Sequence, residues 1–132
     1  FKIAALSGVK VTLLLPKITD SKIATYGMYS YFETLLKAGV EIYLRDDFSH
    51  SKVIFIDDEI ASVGSTNFDC RSFEHNYELN AIIYDKKVTS EIIEEFKERK
   101  ELANKIDLED FLNRSNKQKT LERLARFLSP LL

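Results

Sequence analysis

Residues 50–78, HSKVIFIDDEIASVGSTNFDCRSFEHNYE, set polar side chains among apolar β-type residues, where polar groups are costly unless they are used. His50 and Lys52 stand two apart, so on an extended strand they point the same way. Asp57 closes the run Val53-Ile54-Phe55-Ile56. Asp57-Asp58-Glu59 reads as a turn, and Ile60-Ala61-Ser62-Val63 as the strand returning to Gly64-Ser65-Thr66-Asn67. Such a hairpin predicts Ser65 and Asn67 beside His50 and Lys52. One imidazole, one fixed cation, one amide and one hydroxyl in a small space suit a phosphate diester.

Each residue type has a physical job in that chemistry. A phosphate needs charge and donors, which Lys52, Asn67 and Ser65 supply. Attack at phosphorus needs a nucleophile or an acid/base group, and histidine is the side chain suited to that near neutral pH. An imidazole works best when a carboxylate holds its second nitrogen, and Glu78 and Asp57 are the candidates. A single histidine or lysine on a strand is usually structural. The letters HxKxxxxD alone arise by chance in roughly one or two chains per hundred of this length. The appended Gly64-Ser65-x-Asn67 makes coincidence a poor account.

In these residues the chain resembles the phospholipase D superfamily, whose signature is HxKxxxxD followed six residues later by GSxN. His50, Lys52, Asp57, Gly64, Ser65 and Asn67 match it without a gap. The segment FDCRSFEHNYELN, Phe68 to Asn80, is similar to the bacterial cardiolipin synthase version, with RSFE followed by NxE. The upstream LLLP and SYFETLLKAGVEIY and the closing Leu128-Ser129-Pro130-Leu131-Leu132 look like the same group. The resemblance covers nearly the whole chain.

The resemblance implies a mechanism. One motif histidine attacks phosphorus and becomes a phosphohistidine. A second histidine, from a second copy of the motif, protonates the leaving alcohol and then activates the incoming one. Lys and Asn of each copy bind the phosphate oxygens, and a downstream Glu, at Glu78 here, orients the histidine. The motif Asp is more often a structural partner. No metal or other cofactor is implied, because cations and donors from two motifs stabilise the charge. The implied substrate is phosphatidylglycerol, with a phosphatidyl group moved from one molecule to the hydroxyl of another and glycerol released.

The chain holds one HxKxxxxD, and its other histidine, His75, has no lysine two residues on. His75 therefore reads as a surface or packing residue. The chain looks like the C-terminal half of a longer two-motif enzyme, and the implied partners are the N-terminal half with the other motif and a membrane surface. The full-length protein is expected at the cytoplasmic side of the cell membrane, and this fragment alone is expected to be soluble and inactive. Single-motif members that assemble as homodimers are nucleases, so a nucleic-acid phosphodiesterase is the competing reading.

Composition bears on that choice. A formal net charge of -2 gives no general electrostatic footprint for nucleic acid, and none is expected as a partner. The 132 residues predict one domain with a real core. The single Cys70 cannot close an internal disulfide, and reads as inert packing. No apolar run approaches the ~18 residues of a membrane span.

The positioning elements follow in order. Phe1 to Leu6 reads as a helix end and Val9 to Leu15 as a buried strand. A helix then runs from caps at Thr19-Asp20-Ser21 to about Lys37, with Tyr26, Tyr29 and Tyr31 as core and rim or as a ligand-lining set. Val40 to Leu44 is a strand, and Arg45 in the following loop can reach a second phosphate or pair with Asp46 or Asp47. After the hairpin come a loop from Phe68 to His75, with Arg71 as a headgroup contact or a loop staple, and a strand from Tyr77 to Tyr84. Helices are predicted over Thr89–Ala103, Leu108–Asn113 and Asn116–Phe127. In the last, Leu121, Leu124, Phe127 and Leu128 form a stripe beside Arg123 and Arg126, fit either to pack inward or to lie on a membrane. The fold class is α/β, which the resemblance refines to a phospholipase D-like half with a mixed sheet flanked by helices.

Overall fold

The computed structural model describes residues 1–47 and 49–128; Phe48 and the closing residues 129–132 lie outside the described residues. The chain is α/β, with two small sheets flanked by helices. The described residues form two compact units, 1–47 with 103–128, and 49–102. Among the described residues no helix is long and apolar enough to cross a membrane.

The first unit opens with α1 (Lys2–Leu6) and β1 (Thr12–Pro16), followed by α2 (Lys22–Lys37) and β2 (Glu41–Arg45). Ser21 caps α2 through Ala24 N–H, and Gly39 at φ +89 takes the left-handed turn out of it, where a side chain would be strained. β1 and β2 run parallel, as a strand–helix–strand unit requires. β6 (Asn104–Lys105) then pairs antiparallel with β2 at Tyr43 and Leu44. The sequence predicts there only a break between the helices Thr89–Ala103 and Leu108–Asn113. β1 and β6 occupy both sides of β2 in a mixed three-stranded sheet, and the remaining strands form a second sheet.

Phe32, Val40, Ile42, Leu44 and Phe111 make the core of this unit, the last from α5 (Leu108–Leu112). Tyr29 stacks into it 4.8 Å from Phe32, whereas Tyr31 remains at the rim under the Arg126 guanidinium. Within α6 (Asn116–Leu128), Glu122 and Ala125 face inward. Glu122 accepts two bonds of 3.0 and 2.8 Å at Oε2 from Arg114, whose Nη1 also donates to the Phe111 carbonyl at 2.7 Å. A buried carboxylate needs such a paired, bidentate partner. That requirement rotates α6, so Leu124, Phe127 and Leu128 of the expected stripe point outward.

The second unit is an antiparallel sheet of β3 (Lys52–Ile56), β4 (Ile60–Gly64) and β5 (Asn80–Ile83), in that order. Asp57 and Asp58 turn the hairpin at φ 51 and 55, the left-handed pair whose twist matches the strands, and Asp tolerates it. α4 (Lys86–Glu101), capped by Asp85, lays Phe96 edge-on to Phe55 at 5.0 Å. The segment read as a loop after the hairpin contains a one-turn helix, α3 (Cys70–Glu74), capped by Asp69 accepting from Ser72 N–H. Cys70 is exposed, not packed.

Candidate active site

The site grows from one rung of the second sheet. Lys52 pairs with Gly64, and Gly64 with Asn80, so the three positions share a face. A Cβ on Gly64 would lie 1.9 Å from Asn80 Oδ1 and 2.3 Å from the Leu79 carbonyl oxygen. Only glycine leaves Asn80 room to fold across the rung and donate to Thr66 Oγ1 at 2.6 Å. Gly64→Ala is therefore expected to lower Tm by roughly 5–10 °C, because the strand backbone must move apart. An unchanged calorimetric midpoint would refute this packing.

His50 lies exposed just before β3, and the Lys52 side chain turns back onto it. Lys52 Nζ is 2.8 Å from His50 Nδ1 and 3.1 Å from Nε2, and donates to the His50 carbonyl at 2.8 Å. An ammonium only donates, and a neutral imidazole has one acceptor nitrogen, so Lys52 serves one ring nitrogen at a time. The cation and the imidazole that the spacing predicts on one side are in direct contact.

A second cluster flanks them. Ser65 Oγ donates to Glu78 Oε2, and Asn76 Nδ2 donates to Oε1 at 3.2 Å. Ser65 Oγ in turn accepts from Leu79 N–H at 3.0 Å, and Ser65 N–H donates to the Leu79 carbonyl at 3.0 Å. Hydrogen bonds from Ser65, then Asn76, hold the Glu78 carboxyl below its ordinary range, and the Lys52 charge pulls the same way. The sign follows: the stabilisation is complete above the ordinary glutamate value and is lost as pH falls through the lower folded one. Carboxyl-carbon NMR titration should find the Glu78 midpoint below that of an unstructured glutamate. Ser65→Ala should move it up, and no movement would refute the network.

The remaining expected residues are spread more widely. Asn67 is exposed in the loop after β4. Asp57 sits in the turn at the far end of β3, roughly 16 Å from Lys52 along the strand. Its place is the hairpin turn, away from the imidazole. The one proton of Ser65 goes to Glu78, so Ser65 acts in this arrangement as a holder of the carboxylate. Arg45 forks onto Asp47 at 2.8 and 2.5 Å, the ion-pair alternative. Arg71 is exposed on α3, and His75 is exposed at its end, 4.0 Å from Glu74. Sequence reasoning named Asn76 only as a letter of the NxE segment and missed Asn80 and Thr66. The glycine inside a strand pattern at Gly64 was the available signal, since it marks a close approach by something else.

The family model described as cardiolipin synthase, PLD-like domain, matches residues 1–100. The chain belongs to this family. The matched span contains the whole His50–Glu78 constellation, and the likeness read from HxKxxxxD, GSxN and RSFE is borne out. The cardiolipin synthase of Geobacillus thermodenitrificans is 46% identical over 132 residues, which cover 99% of this chain and 26% of that protein. The major cardiolipin synthase ClsA of Bacillus subtilis is 41% identical, with 99% and 27% covered. The chain thus spans about a quarter of the length of these relatives. Among solved structures, the phospholipase D family member Nuc from Salmonella typhimurium superposes with a TM-score of 0.63 at 21% identity, covering 80% of this chain and 69% of that one. The fold of this cardiolipin synthase-family chain is accordingly phospholipase D-like.

Proposed function

We propose that this chain forms one half of the active site of a membrane-associated phosphatidyl transferase that makes cardiolipin and glycerol from two phosphatidylglycerol molecules. The observation that carries the reading is the Lys52–His50 contact, set by the hairpin beside the Ser65–Glu78–Asn76 cluster within the matched family span. In the first step a histidine nitrogen bonds to phosphorus as the bond to the glycerol oxygen breaks, and a second histidine gives that oxygen a proton. In the second step the hydroxyl of another phosphatidylglycerol attacks, its proton passes to the second histidine, and the N–P bond breaks. His50 fills one of those two roles. Lys52 and Asn67 hold the phosphate oxygens, and Glu78, fixed by Ser65 and Asn76, provides the carboxylate of the site. Asp57 shapes the turn that sets the register. A missing second motif completes the site, and the protein works at the cytoplasmic face of the cell membrane.

The full-length protein should convert phosphatidylglycerol in vesicles to cardiolipin with one glycerol released per product, followed by thin-layer chromatography and glycerol release. Nicking of plasmid DNA without lipid product would replace this reading with a nucleic-acid phosphodiesterase.

A further inference from the structure

We infer that the outward face of α6 is a docking surface for an anionic lipid bilayer. Leu124, Phe127 and Leu128 lie at i, i+3 and i+4 on that helix and are 60%, 89% and 45% exposed. Among the described residues nothing covers these three large apolar side chains. The inward face is already fixed by Glu122 and Ala125.

Charge decides what the face fits. α6 carries Lys117, Lys119, Arg123 and Arg126, and its single acid, Glu122, is 1% exposed and bound by Arg114. Every exposed charge on the helix is therefore positive, in a chain whose formal net charge is -2. On the neighbouring α2, Glu33 is engaged by Lys37 at 2.8 Å and by Arg114 at 3.7 Å, so it offsets little of that charge. Arg126 lies 4.6 Å over the ring of Tyr31, a half-exposed aromatic that adds an amphipathic side chain to the same rim. An apolar stripe with Lys119, Arg123 and Arg126 along one flank, Lys117 in line with it in the first turn of the helix, and tyrosine at the edge fits a helix lying in a headgroup layer. Pairing of two copies through this face would bring Arg123 and Lys117 against like charges, which disfavours self-association. The inference rests on the membrane-surface part of the proposed function and adds the face that would make the contact.

The test is co-sedimentation of the 132-residue chain with vesicles of phosphatidylglycerol and phosphatidylcholine, and with phosphatidylcholine alone. Binding to the mixed vesicles is expected, weakening with salt and much weaker on neutral ones. The double substitution Leu124→Ser with Phe127→Ser should lower the partition coefficient about tenfold or more. Arg123→Gln and Lys117→Gln should each lower it about fivefold. Far-UV circular dichroism should be unaltered, because all four side chains are exposed. Undiminished binding by the serine variant, equal binding to neutral vesicles, or no binding at all would each overturn the proposal. So would dimerisation of the chain by light scattering that the serine variant abolishes while vesicle binding persists. Phospholipid transfer, assayed separately in the full-length protein, distinguishes a wrong docking face from a wrong reaction.

Discussion

His50→Gln is expected to reduce phosphatidyl transfer by the full-length protein by about four orders of magnitude or more. The imidazole alone combines a motif position with a group able to bond to phosphorus or carry a proton, so the loss is large in either role. Glutamine is chosen because its carbonyl can still accept from Lys52 Nζ, which contacts the His50 ring at 2.8 Å in the native chain. His50 is exposed and precedes β3, so the fold should survive the change. Glycerol release measures the rate, and a thermal melt on the same sample measures the fold. A variant that keeps a rate within tenfold of the native protein would remove His50 from the chemistry. A melt that collapses together with the rate would make the residue structural.

The parts of this site that could be read from sequence are those set by local geometry. The short spacing of His50 and Lys52 keeps them within reach of each other although His50 precedes β3, and the turn at Asp57-Asp58 fixes the pairing that sets Lys52 opposite Gly64. Helix α2 was legible because the cap at Ser21 bounds a long amphipathic run, whereas α4 was legible from its apolar spacing alone and begins at Lys86, ahead of the expected Thr89, because Asp85 caps it. Long-range pairing was not legible. β6 is two residues long, too short for a periodic pattern, and exists because Asn104 and Lys105 meet β2 some sixty positions away. The direction of α6 was equally hidden. Its apolar stripe marks a core face by pattern alone, and only the Arg114–Glu122 pair shows which side turns inward. The Ser65–Glu78 bond was not legible for a similar reason, since the two residues are thirteen positions apart.

The 132-residue chain by itself is expected to fold and to transfer phospholipid at less than about a thousandth of the rate of the full-length protein. The proposed reaction needs two histidines on opposite sides of one phosphorus, and the chain carries a single HxKxxxxD. His75 is no substitute, because it ends α3 exposed beside Glu74, with no lysine two residues on. The sheet adds a physical reason to expect a covering partner. Positions 52, 54 and 56 of β3 share a face with position 82 of β5, so the face that carries Lys52 also exposes Ile54, Ile56 and Ile82, at 36%, 57% and 52%. Uncovered isoleucines beside these polar groups fit the proposed two-part site, although Val53 and Val63 of the opposite face are exposed as well. The cardiolipin synthases it matches are about four times its length. Mixing the fragment with the separately expressed remainder of the full-length protein should therefore restore transfer. The restored rate should vanish again when the added part lacks its own motif histidine. Full activity from the fragment as a monomer would show that the second catalytic group lies within these residues. Activity that appears only as the fragment dimerises would place it in a second copy of His50.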